Sequence, residues 1–305
     1  MPTITLIIPS YNEESSILPF YEKVNPYLKK DGYLFKYLFV DDGSMDNTLK
    51  EIKKLREKDK NVTFISFSKN FGKEAAMKAG LEEALSSDAV IMMDADLQHP
   101  PYLIEEMLDK YTEGYKIVYT KQKSRKKEGL IRRSWAKLFY SVFNRYSCVR
   151  LEQSTKDFML IDKMVVKAFL AMPDNYRFTR GILSFVGFKR CALEFDYVER
   201  ETGKSKWNFP KLLKYGVSGL NQFSTIFRVI PFISALLSFL VAVMSIFFYC
   251  FKIMGLDSFI VLLSLSLLFF LTNVSLYFFL YVLYGVRREV IKRPLYFIEE
   301  KSEDE

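Results

Sequence analysis

The sequence predicts an α/β domain, with a mostly parallel sheet covered by helices on both faces, joined to a two-helix membrane hairpin. Three observations predict it. Up to about residue 120, short apolar runs alternate with stretches of helical spacing, the pattern of successive βα units. Acidic turns follow the first, second and fourth of those runs. Two uncharged stretches, 229–251 and 259–286, follow one another near the C-terminal end. Each is longer than the roughly 20 residues that cross a bilayer as a helix.

The elements follow in order. TITLIIPS (3–10) is a strand, and residues 15–30 are helical. YLFKYLFVDDGS (33–44) is a second strand that runs into an acidic turn, and Leu49, Ile52 and Leu55 give 46–59 helical spacing. VTFISFS (62–68) is the third strand and 73–86 the third helix. AVIMMDAD (89–96) is the fourth strand, PYLIEEMLDKY (101–111) the fourth helix and YKIVYT (115–120) the fifth strand. Ligands of such sheets bind beyond the carboxyl ends of the strands.

The rest divides by charge. Residues 1–208 form the α/β domain, 209–228 a juxtamembrane amphipathic helix, 229–286 two membrane helices and 287–305 a tail. Met1 leads straight into a strand with no basic region before it, unlike a signal peptide. Lys211, Lys214 and Arg228 precede the first span, and Arg287, Arg288, Lys292 and Arg293 follow the second. This places the domain and both termini on the cytoplasmic side of a cell-membrane protein. The net charge of +8 gathers near the membrane segments, which points to anionic lipid rather than nucleic acid. The cysteines, Cys148, Cys191 and Cys250, match no metal spacing and read as reduced thiols.

Carboxylates crowd the strand ends. The fourth strand ends in Asp94 and Asp96, which an extended backbone would aim to one side. The second ends in Asp41 and Asp42, and the first in PSYNEE (9–14). Clustered carboxylates repel unless a cation or donor groups neutralise them. A hard divalent ion, Mg²⁺ or Mn²⁺, held by Asp94 and Asp96 resolves that repulsion and brings phosphate oxygens with it. Asp94 and Asp96 also suit capping of the next helix, and Asp-Asp-Gly-Ser alone suits a turn.

PSYNEE, VDDGSMDNT, SKNFGKEAAMKAG and DADLQHPP together resemble family 2 glycosyltransferases with the Rossmann-like A-type fold. With RETGKSKWNFPKLLKYG (200–216) and the two spans, the chain is similar to polyprenyl-phosphate glycosyltransferases, the group of dolichyl-phosphate mannose synthases and bactoprenol glucosyltransferases. The resemblance implies metal-dependent, inverting transfer of a sugar from a nucleotide-sugar donor, with UDP preferred, to polyprenyl (undecaprenyl) phosphate. It implies that Pro9, Tyr11 and Glu13 line the nucleotide site, with Asp41 or Asp42 on the base or ribose and Gly72 and Lys73 beside it. Asp94 and Asp96 would hold the metal against the donor diphosphate, with Gln98 next to the sugar or acceptor phosphate. Asp157, in STKDFML, matches a residue often assigned as base in relatives. Here it is expected to orient the acceptor or steady charge on the sugar. His99, the only histidine, stands where relatives often carry Asp, and helix capping or support of its neighbours is expected of it, with a general-base role as the alternative.

Cations for a dianionic acceptor come from a basic run. Lys121, Lys123, Arg125, Lys126, Lys127, Arg132, Arg133 and Lys137 face Glu128 alone. Ile131, Trp135, Leu138, Phe139, Val142, Phe143 and Tyr146 share one face of the helix that follows, a membrane-surface pattern. Arg125, Arg132, Arg133, Arg200 and Lys206 are the candidate acceptor-phosphate contacts, the last two on a loop suited to a lid. Oligomeric state is open, and a homo-oligomer is compatible with the sequence. The competing readings are a different lipid acceptor and a non-catalytic nucleotide-binding membrane protein.

Overall fold

The computed structural model describes residues 1–123, 130–174 and 177–196, scattered positions between 216 and 240, and residues 257–291 and 293–302. Three units open the chain: β1 (Thr3–Ser10), α1 (Ile17–Val24), β2 (Leu34–Asp41), α2 (Thr48–Lys58), β3 (Val62–Phe67) and α3 (Lys73–Glu83). Then come β4 (Ala89–Met92), α4 (Leu103–Thr112), β5 (Ile117–Gln122) and α5 (Leu130–Tyr146). Next are β6 (Thr155–Asp162), α6 (Lys163–Ala171), α7 (Thr179–Phe185) and β7 (Arg190–Phe195). A long helix, α8 (Asp257–Ile291), and β8 (Ile298–Lys301) complete the described elements. The expected helix over 15–30 stops at Val24 and tightens into a 3₁₀ turn at Asn25–Leu28, because Pro26 has no N–H to continue the ladder.

One eight-stranded sheet runs in the order β7-β5-β6-β4-β1-β2-β3-β8. β1, β2, β3 and β4 pair in parallel. β6 lies antiparallel between β4 and β5, and β8 lies antiparallel on β3. The strands are apolar on both faces because both are covered. Ile4, Leu6, Ile8, Phe39 and Ile91 pack under α1, α2 and α4. Ile7, Leu38, Val40, Met92 and Ile161 pack under α3, α5, α6 and α7.

This order sets the site. The chain steps outward from β1 to β3, then returns through α3 to place β4 on the other side of β1. That reversal opens a crevice at the carboxyl ends of β1 and β4, where ligands of open α/β sheets bind. Ala75, Ala76, Ala79 and Gly80 bring α3 close to the sheet. A methyl group at Gly80 would lie 2.4 Å from Ile7 Cγ2. The N-terminus of α3 is thereby held over the crevice.

Two expectations change. β4 ends at Met92, so Asp94 and Asp96 lie in the following turn rather than in extended backbone, and Leu97 there has φ +58°. The apolar face of α5 splits instead of lying wholly on a membrane. Phe143 is buried and Phe139 packs beside it in the core, while Leu138 stays exposed.

The C-terminal end joins the sheet rather than trailing as a tail. Tyr296 stacks on Phe67 with ring centroids 4.7 Å apart, and its hydroxyl donates to Glu82. Lys301 pairs with Glu83 at 2.7 Å and Lys53 with Glu300 at 2.6 Å. α8 contains Leu267–Arg287, a stretch long and apolar enough to cross a membrane, with 0% of its most apolar window buried. The expected first span, 229–251, and the juxtamembrane helix lie largely outside the described residues. Ser234, from that span, shares a hydrogen bond with Ser275 of α8.

The turn after β2 is braced by its own acids. Gly43 has φ +64°, and a Cβ there would lie 2.3 Å from the Lys69 carbonyl carbon, so only glycine fits. Asp42 Oδ1 accepts from Phe71 N at 2.7 Å and Gly72 N at 3.1 Å, and Oδ2 accepts from Asn70 Nδ2 at 2.9 Å. Burial pushes Asp42 up to about 6, against the Phe71 and Gly72 N–H groups that pull it down. The folded chain therefore keeps this proton where the unfolded chain, near 4, releases it. The contribution of Asp42 to stability falls as pH rises from about 4 to about 6 and stays low above that. We expect the stability of wild type relative to Asp42→Asn to drop by roughly 3 kcal/mol across that window, read from denaturant midpoints at stepped pH. A constant difference would remove Asp42 as the titrating group.

Candidate active site

Three strand ends meet as the sequence implied. Asp42 N donates to Ser10 O at 2.8 Å, tying the ends of β1 and β2 together. Asn12 N donates to Ser44 Oγ at 2.9 Å, and Glu13 N to Thr48 Oγ1 at 2.8 Å. Asp41 Oδ2 accepts from Ser66 Oγ at 2.7 Å and Oδ1 from Ser44 N at 3.1 Å. Asp41 and Asp42 are both buried, and their oxygens brace the rim. Glu13 accepts from Ser16 Oγ at 3.0 Å, at the start of α1. Pro9 and Tyr11 are half-buried beside them.

Four charged side chains from four elements converge at the crevice. Lys73, the first residue of α3, lies 2.6 Å from Asp94 Oδ1 and 2.7 Å from Asp157 Oδ2. Arg180 of α7 donates from Nε to Asp157 Oδ1 at 2.9 Å. The antiparallel register explains why Asp157 arrives here. Met92 faces Met159 across β4 and β6, so two residues further on Asp157 comes level with Asp94.

The charges decide one another's state. Burial alone would push Asp157 up, but Arg180 and Lys73 outweigh it and hold the carboxyl far below the usual carboxylate range. Burial alone would lower Lys73, but Asp157 and Asp94 hold it above the usual lysine range. Asp157 is thus a carboxylate at any working pH and, engaged by two cations, a poor proton acceptor.

The turn after β4 has its own support. Gln98 N donates to Asp96 Oδ1 at 3.2 Å. His99 is buried and stacks on Phe158, with centroids 5.4 Å apart and the planes 18° from parallel. Its Nδ1 accepts a long hydrogen bond, 3.4 Å, from Asp94 N. Burial lowers His99, against the pull of Asp94 and Asp96, so it serves as a neutral acceptor. It supports the Asp94 turn, one of the two roles expected of it.

The structure brings Asp94, Lys73 and Asp157 together and leaves the acceptor-phosphate candidates untouched. Arg125, Arg200 and Lys206 lie outside the described residues. Arg132 and Arg133 fall in α5, but their side chains are not among those described. Sequence reasoning missed Arg180. Its one signal was a cation opening the largely apolar stretch TRGILSF.

Known proteins resemble this chain. Residues 5–169 match the model of glycosyl transferase family 2. A putative glycosyltransferase, CsbB, of Bacillus subtilis is 39% identical over 72% of this chain and 67% of its own length. A bactoprenol glucosyl transferase of Shigella phage SfV is 37% identical over 73% of this chain and 72% of its own. A solved glucosyl-3-phosphoglycerate synthase from Mycobacterium tuberculosis overlays 73% of this chain and 80% of its own at 18% identity, with a TM-score of 0.49. From the match over residues 5–169 and the identity to CsbB, the chain belongs to glycosyl transferase family 2 and is a glycosyltransferase.

Proposed function

We propose that this chain moves a sugar from a nucleotide diphosphate, UDP-linked by preference, to polyprenyl phosphate at the membrane surface, inverting the anomeric carbon. The observation that carries the reading is the charged crevice of Lys73, Asp94 and Asp157, in a chain that also bears the exposed apolar helix α8. The relative named bactoprenol glucosyl transferase, similar over most of this chain, supports the acceptor class.

In this reading Pro9, Tyr11 and Glu13 line the nucleotide pocket, with the rim held by Asp41 and Asp42. Lys73 lies where it meets the donor diphosphate. Asp94 and Asp96 are the metal candidates. Among the described residues no group of three or more His, Cys, Asp or Glu forms a self-sufficient cage. Two carboxylates suit a hard ion that takes its remaining oxygens from phosphate and water. Mg²⁺ or Mn²⁺ bound there supplies Lewis-acid stabilisation of the departing diphosphate.

The acceptor needs little help to become nucleophilic. Phosphate monoesters have a second pKa near ~6, so much of the acceptor is already dianionic at neutral pH. Its oxygen forms the bond to the anomeric carbon as the bond to the diphosphate breaks, and the electron pair leaves on the nucleoside diphosphate. One in-line displacement inverts the centre. Asp157, fixed as an anion, orients Lys73 and the acceptor rather than taking a proton, and Gln98 sits beside the sugar. Arg125, Arg132, Arg133, Arg200 and Lys206 are the proposed partners of the acceptor phosphate.

Chain closure supports the proposed placement at the membrane. β7 and β8 belong to one sheet, so the chain between them crosses a membrane an even number of times. With α8 as one crossing, 229–251 is the stretch we propose for the other. Both termini then share the cytoplasmic side with the catalytic domain.

Two experiments test this reading. Membranes carrying the protein, undecaprenyl phosphate and labelled UDP-glucose should yield glucosyl lipid that chelator abolishes. Asp94→Asn and Asp96→Asn should each lower transfer by roughly 100-fold and weaken Mn²⁺ binding measured by calorimetry. Transfer indifferent to chelator would overturn the metal assignment. In a cysteine-free background, Met254→Cys should react with an impermeant maleimide from outside the cell, and Glu299→Cys only after permeabilisation. Equal labelling of both would overturn the two-span topology.

A further inference from the structure

Asp157 is bracketed by cations from two different helices, Lys73 on α3 at 2.7 Å and Arg180 on α7 at 2.9 Å. With Asp94 they form a chain of alternating charge, Arg180–Asp157–Lys73–Asp94, running from α7 through β6 and α3 to the turn after β4. A second fastening lies one residue away. Glu74, which follows Lys73, accepts from the backbone N–H of Thr179 at 3.1 Å and from its hydroxyl, and Thr179 precedes Arg180. The two helix starts are thus locked together independently of Asp157.

The far side of α7 meets the segment that leads to the membrane. A Cβ on Gly181 would lie 2.4 Å from Phe223 Cε2 and 2.6 Å from Phe178 Cδ1. Phe223 is itself held, its carbonyl accepting from Cys148 N at 3.0 Å. Consecutive residues of one short helix therefore face the charged crevice and the pre-membrane segment. Arg180 cannot shift without moving Gly181 against Phe223.

We propose that Arg180 is a positioning residue for sugar transfer: it fixes Asp157, which in turn holds the Lys73 ammonium beside Asp94, and Phe223 sets the seat of Arg180. This rests on the sugar-transfer reading of the site. Without the guanidinium, Asp157 is free to swing and carry Lys73 off the line of the departing diphosphate. Misplacement on the scale of 1 Å costs up to roughly 100-fold in rate, so the loss falls on kcat more than on the donor KM.

The test is a double-mutant cycle with two readouts. Arg180→Ala should lower kcat roughly 10- to 100-fold with undecaprenyl phosphate and UDP-glucose, leaving the UDP-glucose KM within about threefold. In an Asp157→Asn background the same change should cost no more than about twofold, since coupled residues are not additive. Arg180→Gln keeps the stem out to Cδ with a polar, uncharged end and replaces the alanine variant if that one fails to fold. The second readout needs no turnover. A crystal structure of Arg180→Gln should show the Lys73 ammonium displaced by about 1 Å or more from its wild-type place beside Asp94. Wild-type kcat in both Arg180 variants, losses that multiply in the cycle, or an unmoved Lys73 ammonium would each overturn the positioning role. If the wild type transfers no sugar while the Lys73 ammonium still shifts in Arg180→Gln, the functional reading fails and the positioning stands.

Discussion

Buried carboxylates cannot share one sheet edge unless each has a named partner, and this protein is arranged around that constraint. Asp41 is answered by Ser66 and Ser44, and Asp42 by the backbone of the loop that leads into α3. Asp157 is answered by Lys73 and Arg180. Apart from Ser44, these answers join elements distant in sequence. The same pairings that relieve repulsion therefore fix the relative positions of β2, β3, α3, β6 and α7. Asp94 is the most exposed of these acids, its side chain 28% accessible against 20% for Asp157. That makes it the acid with room for something besides protein.

The first five strands were legible because they are buried on both faces and separated by polar turns. Continuous apolar runs such as TITLIIPS and AVIM can sit only inside a covered sheet. β6 was not legible, because its opening residues, Thr155-Lys156-Asp157, are polar and partly exposed. Its place between β4 and β5 is a long-range choice that no local pattern encodes. β8 gave even less signal, since all four of its residues are exposed. The membrane face assigned to α5 failed in part for a related reason. Phe139 and Phe143 lie on the same face as Leu138, and only the packing of Phe143 against Phe178 shows which of them turn inward.

The candidate site was legible where residue type alone carries meaning. Lysine at the start of α3, aspartates after β4 and an aspartate in DFML each suggest a role from their motif. The strand-alternation argument for Asp94 and Asp96 failed, because the backbone leaves the sheet two residues before the first aspartate. Arg180 was invisible because an arginine in an apolar stretch gains its meaning from whatever faces it. Here that partner lies 23 positions back along the chain. His99 shows the middle case. Its position beside the acidic turn was readable, but its service as a neutral acceptor depends on the Phe158 ring that shields it.

β8 carries a further implication for biosynthesis. It pairs with β3, a strand made more than two hundred positions earlier, as the Phe64–Ser302 contact records. Until translation has passed α8, the outer margin of β3 lacks its partner and presents unpaired backbone groups, the kind of margin along which chains stick to one another. Synthesis of α8 therefore precedes completion of the sheet, and a nascent chain stalled before Tyr296 leaves the ribosome with an open, adhesive border.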